Sequence, residues 1–454
     1  MGSLGIALLN SAQAQRTFSR AISVVQTNVS NVSTPGYATQ NPEFLNQPFN
    51  PEVGLPGGVG FGRLQDTRST YAEQAVREQQ GFLNQNQQLS TDLSRLNAAF
   101  ELNSQSAIPQ TLSAVFNSFS QLAVNPNDSL ARQHVLDTAS AAAQSIRTTS
   151  TKLNDAVAQT DTQIQQTVDA INSDVKNIQS INAQRRSNFN SQHDAGLDAQ
   201  VYAKLEDLSQ YVNIQSIAQP DGTVSIYISG QTPVLVGTHQ YAINSAPSQT
   251  AATIVDANQN DITLQTTSGK LGALLKERNQ LLPAYTANLN QLAQSFADSV
   301  NGQLRNGVDS SGASPAVDLF SYDPAAGNAA STLQVSALQP GQIAAADPAA
   351  PGGNGNAIAL AQLGQAKSIN GLSFSQFYGS IAQKFGRDLS SAQQDTTVAQ
   401  SLLSQSQRNR EQISGVSLDQ QAAQLIQFQQ AYQAAGNLFR VLNQLAQDTI
   451  NLLH

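Results

Sequence analysis

The two ends of this chain of 454 residues carry one pattern, and that pattern leaves few folds open. Toward the C-terminus, apolar or small residues recur at Leu418, Ala422, Leu425, Phe428, Tyr432, Ala435, Phe439, Leu442, Ala446, Ile450 and Leu453, in steps of three and four. This is the 3.5-residue seam of a helix laid along another helix. Between Ser414 and Leu453 the only charges are Asp419, Arg440 and Asp448. At the other end, Leu4, Leu8, Ser11, Gln15, Phe18, Ile22, Val25, Val29 and Val32 repeat the spacing, with Arg16 and Arg20 alone charged. Long polar-rich helices are marginal in water without a tertiary partner. The seams therefore predict that the termini pair as a coiled coil, associate with copies of themselves, or both.

The N-terminal seam stops at Thr34-Pro35-Gly36-Tyr37. Proline moves the residue before it out of the helical region, and Pro-Gly suits the centre of a type II turn. Beyond it, 38–68 reads as an irregular, extended arm rich in proline and glycine. Its Gly-Gly-Val-Gly-Phe-Gly run lacks the Lys-Ser or Lys-Thr of a phosphate loop. Thr70-Tyr71-Ala72-Glu73 has the form of a capping box that starts a helix reaching about Leu102. Further helices are predicted over 108–124 and 129–186, the latter with Ile164, Val168, Ile171, Val175 and Ile178 on one face. After a short helix at 199–211 the period changes to two. Strands are predicted at 212–218 and 223–229 around Gln219-Pro220-Asp221-Gly222, then at 234–236, 241–243, 253–255 and 262–264, with weaker ones at 317–320 and 333–336. Helix returns over 271–305, where Pro283 should kink or restart it. Helices at 356–363 and 373–412 lead back to the C-terminal seam.

The chain thus runs out and back. The expected fold is mainly α with a β-rich inserted domain. Residues 1–40 and 415–454 form a terminal coiled-coil domain. Residues 41–190 and 356–414 form a bundle of long helices that carries the arm at 38–68. Residues 191–355 form a distal β-rich domain with its returning helix at 271–305.

Composition narrows the function. Charged residues make up 12 % of the chain, about half the usual share. The net charge is −8 with no basic block, which argues against nucleic acid as a partner. With no cysteine, disulfides and thiolate metal sites are excluded. No apolar run is long enough to insert in a membrane. Ala12-Gln13-Ala14 imitates a cleavage site, yet no positive charge precedes the short apolar run from Leu4 to Leu9, so a cleaved signal peptide is not expected. No catalytic set emerges either. His134, His193, His239 and His454 are scattered, adjacent Glu206 and Asp207 point apart on a helix, and no nucleophile elbow occurs. We expect no enzyme activity, cofactor or metal.

Thr27-Asn28-Val29-Ser30-Asn31-Val32-Ser33-Thr34-Pro35-Gly36-Tyr37 resembles the N-terminal signature of the bacterial flagellar axial proteins, the rod, hook and hook-associated family. The stretch from Ser414 to Ala434 is similar to their C-terminal signature, with Gln420-Gln421 where acidic residues are common and Phe428 where tyrosine is common. Within the family, 125–145 and 268–303 resemble the hook-associated members. The resemblance implies a structural adaptor at the junction between hook and filament, extracellular on the flagellum and exported through the type III apparatus. It implies a homo-oligomeric ring of about eleven copies by analogy with the axial lattice. The implied partners are hook protein, hook-associated protein 3 and an export chaperone holding the C-terminal helix. Hook protein or hook-associated protein 3 itself would be the neighbouring readings. An exported adhesin displaying the β domain is the reading from another class. As interface residues the seams and the signature nominate Asn28, Asn31, Pro35, Gly36, Tyr37, Leu418, Leu425, Phe428, Tyr432, Phe439, Leu442 and Leu453. Asn28 and Asn31 are expected to make lateral amide contacts, and Pro35, Gly36 and Tyr37 to set the helix exit. The low charge also fits an assembly, because equivalent contacts in a symmetric ring set like charges against each other, whereas Gln and Asn donate and accept.

Overall fold

The computed structural model describes residues 2–48, 57–102, 104–187, 194–248, 250–324 and 327–451. The described chain is mainly helical. Its helices begin with α1 (Gly2–Ser30), α2 (Thr70–Leu96), α3 (Ile108–Val124), α4 (Ser129–Ser187), α5 (Ala195–Tyr211), the short α6 (Gly269–Lys276) and α7 (Leu282–Arg305). The short α8 (Ala329–Thr332) and α9 (Gly355–Gln362) precede α10 (Phe374–Ser414) and α11 (Leu418–Asn451). Between α1 and α2 lie β1 (Gln40–Gln47) and β2 (Gly58–Asp66). After α5 come β3 (Ile214–Ala218), β4 (Val224–Ile228), β5 (Thr232–Val236), β6 (His239–Gln240), β7 (Asn244–Pro247) and β8 (Ala252–Val255). Two-residue strands β9 (Phe320–Ser321) and β10 (Gln334–Val335) pair with each other.

The chain divides into two compact units, one made of 1–83, 170–243 and 399–454 and the other of 84–169 and 244–398. The first unit holds a four-stranded antiparallel sheet, β3-β4-β5-β6. Its first hairpin turns through Gln219-Pro220-Asp221-Gly222, with Gly222 at φ +81°. Two asparagines in the last part of α4 dock this sheet region by pairing both amide groups with backbone. Asn182 donates to Val224 O at 2.9 Å and accepts from Val224 N at 3.0 Å. Asn172 donates to Ile243 O at 2.8 Å and accepts from Ile243 N at 3.1 Å. Such two-way amide contacts satisfy polar groups that burial would otherwise penalise.

The second unit is built on a large apolar core. Phe116, Phe296 and Phe374 meet pairwise with ring centroids 5.7–5.9 Å apart. Phe100, Tyr285 and Phe385 form a second aromatic cluster. Ile146 and Leu153 from α4 and Leu289 and Leu292 from α7 complete the packing.

Several boundaries differ from the sequence reading. The helix from Thr70 gives way to a 3-10 turn at Asn97–Ala99. The strand expected at 241–243 is absent, and β6 and β7 lie on either side of it. The strand expected at 262–264 is replaced by a 3-10 turn at Thr263–Gln265, because Asp261 Oδ1 takes up both the backbone N–H and the hydroxyl of Thr263. Pro283 does interrupt its helix. Having no N–H, and a ring that crowds the carbonyl four residues back, it is accommodated by a π-turn at Glu277–Leu281 that joins α6 to α7.

Candidate assembly site

α1 and α11 pack against each other, as the paired seams predict. Their contact is apolar at its centre: Ala21, Val25 and Phe428 are buried, with Phe18, Ile22 and Leu425 against them. Farther along α11, Ala435 is buried, and Phe439 and Leu442 are half-buried. The α1 stripe does not follow the sequence seam to its end, because Val29 and Val32 are exposed and Asn28 occupies the buried position.

The arm between α1 and α2 is ordered where it is described. β1 and β2 form an antiparallel pair from Gln40 opposite Asp66 to Gln47 opposite Gly58. Phe44 of β1 lies 6.0 Å from Phe18 and 5.6 Å from Phe428, so one strand residue joins the rings of both terminal helices. Arg20 sits 5.9 Å from the Phe61 ring of β2. Instead of an irregular arm, the described part of 38–68 forms paired strands that pack on the helix pair. Pro51, Pro56 and Gly54 of that arm lie outside the described residues.

Asn28 is fully buried and all four of its amide positions are used within the chain. It donates to Gln40 O and to Gln421 Oε1, each at 2.9 Å, and its oxygen accepts from Tyr37 Oη at 2.8 Å and from Gln40 N at 3.0 Å. Burial pushes the Tyr37 phenol up to about 12, so it remains a donor across the physiological range. Asn28 therefore has no amide position left over for a lateral contact. Gln421 is the α11 member of this set. Asn31 makes local bonds on the surface, donating to Thr27 O and accepting from Thr34 Oγ1. Replacing Asn28 by aspartate would turn two donors into acceptors facing Gln40 O and Gln421 Oε1. The expected cost is about 3 kcal/mol, read as a lower urea midpoint with unchanged slope.

Gly36 fastens this exit to the rest of its unit. Its φ is +72°, and a Cβ there would lie 2.3 Å from the carbonyl oxygen of Ala199 and 2.9 Å from the backbone nitrogen of Ala203, both in α5. Its own carbonyl accepts from Arg68 Nη2 at 2.7 Å. Nearby, Thr39 N donates to Ser414 O and Thr39 Oγ1 to Gly415 O, tying the start of the arm to the α10–α11 corner.

Beneath the exit lies a buried ionic cluster. Arg68 bonds Glu73 at 2.6 Å and Asp198 at 2.9 Å, with its guanidinium 3.7 Å from the centroid of the Tyr202 ring. Arg410 bonds Glu206 at 2.6 Å and Glu73 at 3.3 Å, and Arg185 bonds Asp198 at 3.0 Å. Arg77 is also buried, with Nε and Nη1 unpartnered, and burial lowers its pKa against the opposing pull of Glu73. Glu73 is thus no capping-box residue. Ser69 supplies the cap, its Oγ accepting from Ala72 N and its backbone carbonyl from Glu73 N, while the arginines capture the Glu73 carboxylate.

Of the nominated residues, Leu425 and Phe428 pack with α1, Phe439 and Leu442 are half-buried, and Asn28, Pro35, Gly36 and Tyr37 lie at the helix exit. Leu418 is 53 % exposed and Tyr432 is 37 % exposed. Leu453 lies outside the described residues. Exposed apolar side chains on α11 also include Ile426, Leu438, Val441, Leu445 and Ile450. The acids Glu206 and Asp207 serve separate ion pairs, with Arg410 and Lys204. His239 packs edge-on against Tyr241. His193 and His454 lie outside the described residues.

Helical termini packed together around an out-and-back chain define the class of flagellar axial proteins. Residues 407–452 match the C-terminal domain of flagellar basal body rod FlgEFG proteins. Residues 93–320, half of the chain, match the helical domain of flagellar hook-associated protein FlgK. The chain belongs to the FlgK family, that of flagellar hook-associated protein 1. It is 25 % identical to flagellar hook-associated protein 1 of Bacillus subtilis over 95 % of both chains. It is 27 % identical to that of Escherichia coli over 67 % of this chain and 57 % of the other. It spans little more than half of the length of the Escherichia coli and Salmonella relatives. Its fold is similar to a structure titled as the flagellar hook junction protein FlgK from Burkholderia pseudomallei. The TM-score is 0.68 at 17 % identity, covering 75 % of this chain and all of the other.

Proposed function

We propose that this chain is a structural adaptor of the bacterial flagellum, forming the junction between hook and filament. The observation that carries the reading is the match of 93–320 to the FlgK helical domain, because paired terminal helices alone are common to axial proteins. In this reading 1–40 and 415–454 form the wall of a tube. Copies associate through the apolar face of α11 that the intrachain pair leaves exposed, since a row of large apolar side chains in water is an interaction surface by default. Hook protein lies on one side of the ring and hook-associated protein 3 on the other, and an export chaperone covers the C-terminal helix before assembly. The side chains at the exit are fully engaged within the chain, which supports a structural role for Asn28, Gly36 and Tyr37: they set the angle at which the helix pair leaves its unit.

Removing the gene from a motile host is expected to leave hooks without filaments and flagellin in the medium. Normal filaments in that strain would overturn the reading. A finer test separates the two faces of α11. Leu438→Asp with Val441→Asp is expected to leave the purified monomer's melting temperature within a few degrees of the parent, because both side chains are exposed. The same variant should fail to restore filaments in the deletion strain. Leu425→Asp should both loosen the helix pair and fail in cells.

A further inference from the structure

The π-turn of the second unit carries an unexplained acid. Glu277 is 2 % exposed, and its Oε2 has no hydrogen-bond partner. Its carboxyl is hydrogen-bonded to Asp92 of α2 and to Thr160 of α4. Burial, and then the charge of Asp92, pushes its pKa up to about 8, so at neutral pH it is mostly a neutral acid hydrogen-bonded to Asp92. A buried acceptor with no donor is costly by about 1–3 kcal/mol. Glu277 also lines a cavity of about 250 Å³ between α2, α4 and the π-turn.

The charged groups facing that cavity are Asp92 and Arg95 from α2, Lys152 and Asp155 from α4, and Glu277 itself. Arg95 is held by Asp92 at 3.1 Å, and Lys152 donates to Ala98 O at 3.2 Å. With Glu277 ionised, the lining carries three negative groups against two positive ones. What the cavity lacks is one positive charge with N–H donors. Leu96, Ala98 and Ala156 give it an apolar wall. Among the described residues no group of three or more His, Cys, Asp or Glu side chains is placed to hold a metal ion.

We propose that this cavity binds a monovalent primary ammonium ion with a short aliphatic group, its nitrogen on the Glu277 carboxylate and its carbons against Leu96, Ala98 and Ala156. The single charge follows from the balance of the lining, and the aliphatic part from its wall. Binding requires the ionised carboxylate. Below the Glu277 pKa each captured cation therefore releases one proton, and affinity rises about tenfold per pH unit until it levels near pH 8. Without ligand the same acid works against the fold. The unfolded chain gives up this proton near the ordinary carboxyl value of 4.5 whereas the folded chain keeps it to about 8, so stability falls as pH rises between those limits.

The test is calorimetric titration of the full chain with n-propylammonium chloride, in two buffers of different ionisation enthalpy, with potassium chloride at equal ionic strength as the control. One saturable site, close to one proton released at pH 7, and binding about fivefold tighter at pH 8 are expected. Glu277→Gln should abolish binding and flatten the dependence of the melting temperature on pH between 5 and 8. Ala156→Leu, which fills the wall and leaves the acid in place, should weaken binding at least tenfold. No saturable heat up to about 50 mM, a range that already admits very weak complexes, would overturn the proposal. So would undiminished binding in Glu277→Gln or in Ala156→Leu, or equal occupancy by potassium.

Discussion

Gly36→Val is expected to release the exit of the N-terminal helix from α5 and to destabilise its unit by about 4 kcal/mol. Two effects add. A β-branched residue at φ +72° is strained by about 1–3 kcal/mol. The new side chain also has nowhere to go, because a Cβ would stand 2.3 Å from Ala199 O and backbone cannot rotate aside as a side chain can. That overpacking costs roughly another 1–3 kcal/mol. Relief requires the Pro35–Gly36 corner to lift, which withdraws the Gly36 carbonyl from Arg68 and moves Tyr37 away from Asn28. The effect should therefore spread. Amide exchange is expected to accelerate first at 34–40 and then along α1 and α11, with the aromatic core of the other unit retaining its protection. In cells the variant should be made but should not support filaments. Exchange unchanged at the exit would show that Gly36 is tolerant and that the close approach to α5 carries no energy.

The terminal pairing was legible because it rests on periodicity, which a sequence displays directly. Its phase was less legible. A seam drawn through Val25, Val29 and Val32 assumes that apolar residues mark the buried line, yet the buried line passes through Asn28, whose amide is satisfied by partners as far away as Gln421. The hairpin at 40–66 gave no signal for a different reason. Strands such as Gln40–Gln47 contain few apolar residues and a proline, and what orders them is one phenylalanine seated between two helices that meet only in the folded chain. Glu73 shows how a local pattern can mislead. Its position satisfies a capping box, and its neighbour at Arg68 is close in sequence, but Arg410 lies 337 residues away and no window of sequence connects them. Pro283, by contrast, acts on its own helix, and its effect could be read from the residue alone.

The ionic cluster under the exit offers the second large effect. It gathers Arg68, Arg77, Arg185 and Arg410 around Glu73, Asp198 and Glu206, four positive groups against three negative ones. Glu73 is the acid shared between Arg68 and Arg410 and the strongest counterweight to Arg77. Glu73→Ala should therefore cost about 4 kcal/mol, most of it the penalty of leaving buried guanidinium charge uncompensated. Arg77→Met should behave in the opposite way. Its Nε and Nη1 have no partners, its charge is the surplus one, and methionine fills much of the same space, so the variant is expected to be neutral or up to about 1 kcal/mol more stable. The double variant decides whether the two effects share a cause. If Glu73 chiefly offsets Arg77, removing both should cost at least 1 kcal/mol less than the sum of the single changes. Strict additivity in urea unfolding would assign the loss instead to Arg68 and Arg410, and would make Glu73 a clamp between the start of α2 and the end of α10 more than a counter-charge.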